Sequence, residues 1–221
     1  MALTLYWGSG SPYSWRVLLA LEHNGLAYNS QRLHFDKQEH QSPQMLKLNP
    51  RGRLPVLKDG DYVVFESVAV LYYLDTKFPQ PPIFGSSPEE AGVVMRVICE
   101  FQAYAEAAVA KIVEAIFADR ALEQIDALTD AMHVVAREAR TIEGRLSKEL
   151  WIVGADYSAA DMVIFPWLQL LRRALDRDSG ADLRARFLPM ERNYPALVRW
   201  IQRIESLPGY ARTYPPHWRE T

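Results

Sequence analysis

Cysteine is almost missing from this sequence: Cys99 stands alone among 221 residues. No internal disulfide can form, which suits a reducing compartment. The opening MALTLYWGSG lacks a basic segment followed by a long apolar one, so no secretory leader is read there. No apolar run approaches the length of a membrane span. Surplus positive charge is missing too. Lys and Arg number 25 against 27 Asp and Glu, a formal net charge of -2, and without clustered basic residues neither nucleic acid nor an anionic membrane is expected as a partner. His23, His34, His40, His133 and His217 are scattered, with no cysteine pairs and no His-Glu helix motif, so no metal is expected. The expectation is a soluble, cytoplasmic protein.

What is present is an ordinary globular composition, 49% hydrophobic and 24% charged, in a chain long enough for one large or two small domains. Its first 80 residues alternate in type. LTLYW (Leu3 to Trp7) reads as a strand, Pro12 to Asn24 as a helix and Ala27 to Phe35 as a second strand. A short helix is expected around Pro43 to Leu48. Then comes a hairpin, with Val56 and Leu57 on one strand, Asp59-Gly60 as the turn and Tyr62 to Val64 on the other. Val68, Leu71, Tyr72 and Leu74 return to helical spacing. The order is β-α-β-(α)-β-β-α, an α/β pattern.

Between Phe78 and Pro88 the sequence FPQPPIFGSSP is rich in turn formers, and residues 80–87 are read as a linker. Beyond it, 88–221 reads as all-helical. Val94, Ile98, Phe101, Ala105, Ala108, Ile112 and Ile116 recur every three or four residues, as do Leu122, Ile125, Leu128, Met132, Val135, Ala139, Ile142 and Leu146. Two long antiparallel helices are expected, with Cys99 as a small core residue of the first. A further helix opens at Ser158, where Asp161 can reach back to the cap N–H and Tyr157 and Met162 form a hydrophobic staple. Pro166 should kink it. The last clear helix is YPALVRWIQRIES, stopped by Pro208-Gly209.

The stretch GSGSPYSWRVLLALEHNG, from Gly8 to Gly25, holds three serines ahead of the first helix. Pro12 fits a first helical turn and Ser11 the N-cap before it. On local chemistry alone Ser11 is a capping residue.

Two longer motifs go further. NPRGRLPVLKDGDYVVFESVAVLYYL (Asn49 to Leu74) resembles the glutathione-site signature of the cytosolic glutathione transferases, and SAAD with its proline-bearing helix resembles the capping box of their second domain. The resemblance runs in order over almost the whole chain. SPYSWRVLLALEHNGLAY is similar to the serine-type classes, most of all tau and zeta. The resemblance implies a thioredoxin-like N-terminal domain (1–79) that binds glutathione and an all-α helical-bundle C-terminal domain (88–221) that contributes the hydrophobic substrate site.

It also implies roles. Ser11 matches the hydroxyl that hydrogen-bonds the glutathione sulfur; a helix N-terminus and a hydroxyl donor both favour a thiolate over a thiol of pKa about 8.5. Ser9 in the glycine-flanked loop and Tyr6 near the end of the first strand stay open as alternatives, while Ser14, inside the first turn, should satisfy local backbone. Leu54 precedes a proline whose bond is cis in the family, so its main chain would pair with the cysteinyl part of glutathione. Glu66 would meet the γ-glutamyl ammonium and Ser67 the γ-glutamyl carboxylate at a helix start. Arg53 is placed to bind the glycyl carboxylate, with His40 a further contact and Arg51 and Lys37 as competitors. Tyr104, Phe117 and Trp167 are candidates for the electrophile site, at spacings that also suit a core.

The activity implied is glutathione transfer: glutathione as cosubstrate, a small hydrophobic electrophile as partner, and a homodimer as the assembly. Zeta-type isomerisation and peroxide reduction use the same thiolate, but Tyr13 stands where zeta members carry a cysteine. Thiol-disulfide exchange would need a Cys-x-x-Cys pair that the chain lacks. A non-enzymatic binding or assembly module is the remaining alternative, since fold alone does not establish catalysis.

Overall fold

The computed structural model describes residues 3–185 and 187–219. They form two compact units, one of Met1–Phe84 with Ser206–Thr221, the other of Gly85–Glu205.

In the first unit β1 (Leu3–Gly8) leads into α1 (Pro12–His23) and β2 (Tyr28–Leu33), followed by α2 (Pro43–Leu48), β3 (Val56–Asp59), β4 (Tyr62–Phe65) and α3 (Ser67–Lys77). The sheet order is β2-β1-β3-β4. β1 runs parallel to β2 and antiparallel to β3, with Tyr6 opposite both Gln31 and Val56. Alternation along β1 buries Leu3, Leu5 and Trp7. β2, polar in sequence and mostly exposed, is one of the two edge strands and shorter than Ala27 to Phe35. The hairpin turn is also displaced by one residue from Asp59-Gly60: Asp59 pairs with Tyr62, and Gly60 at φ +60 forms the turn with Asp61. Asp59 stays in the strand because its carboxylate is engaged by Tyr73 Oη at 2.7 Å and by Lys77.

The stretch expected as a linker is partly built into this unit. Asp75 Oδ1 accepts from the amides of Ile83 (2.6 Å) and Phe84 (3.4 Å), and both side chains are buried. A second boundary differs as well. Residues 206–219, expected with the helical domain, pack on α1 through α11 (Tyr210–Thr213). The reason is Trp15, 2% exposed, whose Nε1 donates to Thr213 Oγ1 at 2.9 Å and whose ring meets Tyr214 and Trp218 edge-on.

The second unit holds α4 (Pro88–Tyr104), α5 (Glu106–Phe117), α6 (Ile125–Leu146), α7 (Ala159–Leu175), the short α8 (Ala181–Arg184) and α9 (Met190–Asn193), and α10 (Pro195–Glu205). The first expected long helix is thus two, α4 and α5, broken at Ala105. Its apolar stripe passes through the break in phase, with Phe101, Ala105 and Val109 all buried. Leu122, expected on the buried face of the next helix, lies in a short 3₁₀ turn and is exposed. Cys99 is exposed on α4 and not a core residue; it follows buried Ile98 by one position, about 100° around the helix. α7 carries Pro166 in its interior and continues to Leu175, its residues 159–167 all buried.

The start of α7 is the polar centre of this unit. Asp161, fully buried, accepts from Ser158 N (2.9 Å), Ser158 Oγ (2.9 Å), Ile152 N (3.0 Å) and Trp200 Nε1 (2.7 Å). Burial pushes its carboxyl up from the ordinary value, and the four donors oppose that shift.

Candidate active site

The sheet topology gathers the predicted residues at one end. β3 is antiparallel to both β1 and β4, with Val56 opposite Tyr6 and Phe65. The last residues of β1 and β4 and the first of β3 therefore share an edge of the sheet. From it start α1, after Gly8, and α3, after Phe65, while Leu54-Pro55 leads in.

At the start of α1 the three serines have become distinct. Ser14 is fully buried, and its Oγ accepts from Gly8 N at 3.2 Å. Ser11, half-buried, is the N-cap: its Oγ accepts from Ser14 N at 3.2 Å and its carbonyl from Trp15 N at 3.0 Å. A hydroxyl that accepts one bond keeps its proton to donate. No acidic residue lies in the first turn of α1, so that turn supplies no carboxylate to offset the positive end of its dipole. Ser9 Oγ lies 2.6 Å from His217 Nδ1. Gly10 between them holds φ +78, a conformation that favours glycine.

Tyr6, the alternative thiol ligand, is half-buried and packs on the apolar cluster of Met45, Leu54 and Val56. The Leu54-Pro55 bond is cis. The loop before it is framed by Asn49, 2% exposed, whose Nδ2 donates to Arg53 O (2.9 Å) and whose Oδ1 accepts from Arg51 N (3.1 Å). The side chains of Arg51 and Arg53 are both exposed. Gln41 ties the preceding segment to this loop by donating to Gly52 O at 2.9 Å. His40 beside it is half-buried, its ring 5.1 Å from that of Phe35, and its Nδ1 is buried with no hydrogen-bond partner among the described residues. Lys37 is exposed.

At the start of α3, Glu66 is exposed and holds φ +69. A non-glycine residue in that region costs on the order of 1–3 kcal/mol and is typical of ligand clamps. Ser67, buried, accepts from Arg16 Nη1 at 3.1 Å. Arg16 is completely buried in α1 and brings a positive charge to the start of α3, whose first turn also has no acid. Sequence reasoning missed both Arg16 and Asn49. The available signals were a basic residue inside the apolar run Trp15 to Leu21, and an Asn-Pro step just before the Arg-Gly turn.

The electrophile candidates fare differently. Tyr104 is 61% exposed, and Phe117 is half-buried under the Arg177 guanidinium. Trp167 is buried and lines a cavity of about 40 Å³ with Phe101, Val109, Ile164 and Phe187, far below the ~300–1,000 Å³ of ligand pockets.

Residues 1–76 match the family model for the glutathione S-transferase N-terminal domain, and residues 104–208 that for the glutathione S-transferase C-terminal domain. The chain is 30% identical over 228 residues to glutathione S-transferase A of Pleuronectes platessa, covering 99% of this chain and 94% of that protein. It is 31% identical over 210 residues to maleylacetoacetate isomerase of Pseudomonas aeruginosa, covering 89% and 96%. Among solved structures, a glutathione S-transferase from the Antarctic clam Laternula elliptica superposes with a TM-score of 0.85 at 28% identity, over 100% of this chain and 95% of that one.

Proposed function

This chain belongs to the glutathione S-transferase family and is a glutathione transferase, and we propose that Ser11 is the group that holds its thiolate. The observation that carries this reading is the start of α1: a half-buried capping hydroxyl that accepts one bond and donates none among the described residues, at a helix end with no acid in its first turn. A hydrogen bond to a charged group is worth about 1.5–3 kcal/mol, and the helix end adds about 0.3–1 kcal/mol. Since one pKa unit corresponds to about 1.4 kcal/mol, the two together lower a bound thiol's pKa by roughly one to two units or more. No strong general base is required. The thiolate then attacks the electrophilic carbon of a small hydrophobic substrate.

The rest of glutathione is assigned by charge. The Ser67 hydroxyl and the N–H groups opening α3 hold the γ-glutamyl carboxylate, with Arg16 behind them as the countercharge. The exposed carboxylate of Glu66 meets the ammonium group. Leu54 pairs through its main chain with the cysteinyl portion. Arg53 binds the glycyl carboxylate from the loop that Asn49 frames, and His40 approaches the same group. The protein works as a homodimer in the cytoplasm; an exposed free cysteine fits that compartment.

Isomerisation is the second reading, favoured by the likeness to maleylacetoacetate isomerase and opposed by Tyr13 in place of the zeta cysteine. The thiolate assignment is tested by ultraviolet titration of the bound glutathione thiol. Ser11→Ala is expected to raise that pKa by about one to two units. An unchanged titration in Ser11→Ala, with the depression abolished in Tyr6→Phe, would transfer the role to Tyr6.

A further inference from the structure

One side chain from residues 206–219 reaches the loop that carries Ser11. His217 Nδ1 lies 2.6 Å from Ser9 Oγ. A Cβ placed on Gly10 would stand 2.7 Å from His217 Cε1 and 3.4 Å from Trp218 Nε1, so the histidine and tryptophan close over the loop's backbone. The contact is not that of a loose tail. Trp15, the fourth residue of α1, bonds Thr213 and packs against Tyr214 and Trp218, the latter at 5.4 Å between ring centroids. Arg212 Nε donates to Glu22 Oε2 at 2.7 Å on the same helix. These anchors hold the segment to the helix whose first turn Ser11 caps, and they set His217 at a fixed place beside it.

The loop needs such support. Gly8 and Gly10 flank Ser9, and neither has a side chain to pack. We propose that His217 is a positioning residue of the thiol site: by hydrogen-bonding Ser9 it fixes the glycine-flanked loop and thereby the direction in which Ser11 presents its hydroxyl. The inference rests on the reading that Ser11 holds the thiolate. It also gives Ser9 a role other than ligand, as the handle by which the loop is held. With Nδ1 bare the ring accepts the Ser9 proton, and with Nδ1 protonated it donates to Ser9 Oγ; both states keep the loop bound.

The test uses the full chain with His217→Ala, His217→Asn, which puts an amide near the place of Nδ1, and Arg212→Ala, which loosens the segment away from the loop. Amide hydrogen exchange in the protein without glutathione reports the loop directly, through the Ser11 and Ser14 amides. His217→Ala should speed their exchange by about three- to tenfold, the worth of one net hydrogen bond, with His217→Asn restoring much of the protection and Arg212→Ala having less effect. With glutathione, His217→Ala should raise the bound thiol pKa by less than Ser11→Ala does. It should lower kcat/KM below that pKa while leaving kcat at high pH near the wild-type value. The proposal is overturned if exchange at Ser11 and Ser14 is unchanged in His217→Ala, or if Arg212→Ala reproduces the whole effect. A wild-type protein that leaves the glutathione thiol at its free pKa defeats the Ser11 reading instead, and the exchange data then decide separately whether His217 fixes the loop.

Discussion

The helices of the two units begin in opposite ways. Across the helical unit every helix start among the described residues has a carboxylate: Glu89 and Glu90 in α4, Glu106 in α5, Asp126 in α6, Asp161 in α7, Asp182 in α8 and Glu191 in α9. α10 borrows one, the Glu143 oxygens accepting from Ala196 N (2.9 Å) and Leu197 N (2.8 Å). In the first unit α1, α2 and α3 have no acid in their first turns; α3 has Glu66 at its N-cap, but that side chain makes no cap hydrogen bond. Ser11 and Ser158 make the contrast sharpest, because both are N-cap serines. Beside Ser158 the anion is Asp161, and both residues are buried. Beside Ser11 the first turn holds no carboxylate. The same helix-end electrostatics therefore serves stability in one unit and, on our reading, a negatively charged ligand in the other.

The largest effect is expected from breaking the closed case. Asp161→Ala leaves four buried donors without their acceptor; at about 1–3 kcal/mol each, even with strong non-additivity, the loss is about 4 kcal/mol or more. That is a large part of the ~5–15 kcal/mol that holds a domain together. Thermal melting followed by circular dichroism should show the helical unit lost or strongly destabilised, and a near-native melt would deny the carboxylate its role.

A smaller change makes the open case resemble the closed one. Tyr13→Glu puts an acid in the first turn of α1, at a position already 38% exposed. Helix stability should gain about 0.3–1 kcal/mol, while the bound glutathione thiol should titrate about 0.2–0.7 units higher through like-charge repulsion. A thiol pKa that falls or stays put in this variant would show that the helix end does not act on the sulfur.

The least effect belongs to Asp59, an internal anion of the first unit placed away from the helix starts. Hydrogen bonds from Lys77 first, then Tyr73, hold its carboxyl below the ordinary 3.8. Its contribution is thus present above that value and lost as pH falls through the depressed one. Asp59→Asn should be slightly less stable than wild type at neutral pH, where Lys77 is exposed enough for solvent to screen the pair. The two proteins should converge as pH falls through the depressed Asp59 pKa. Denaturant titrations at several pH values measure this, and a difference that persists in acid would assign the effect to packing.

How legible each element was follows from the range of the interactions that make it. Capping is a three-residue affair, so Ser11 at the start of α1 and the Ser158-Asp161 box could be read directly, as could the six-residue α2. The glutathione signature was recognisable as a continuous string, and the sheet topology then shows why its separated parts share an edge. The break at Ala105 was invisible because the apolar stripe crosses it without losing phase. Cys99 misled because it neighbours the stripe by one position. Arg16 and Asn49 are polar residues whose burial depends on partners, and Ser67, which Arg16 bonds, lies 51 positions away. The packing of residues 206–219 on α1 was beyond any window, since Trp15 and Thr213 are separated by 198 positions.

That last separation has a consequence for how the molecule is made. Domains emerging from the ribosome generally fold as units, earlier ones first. Here the covering of Trp15 and the fastening of Ser9 are postponed until the entire helical unit has been synthesised. A nascent chain halted before residue 206 would carry the cap and the sheet, yet leave an indole open to water and the glycine loop unheld. On the reading that Ser11 holds the thiolate, the loop beside it is held only after the intervening helical unit has been delivered.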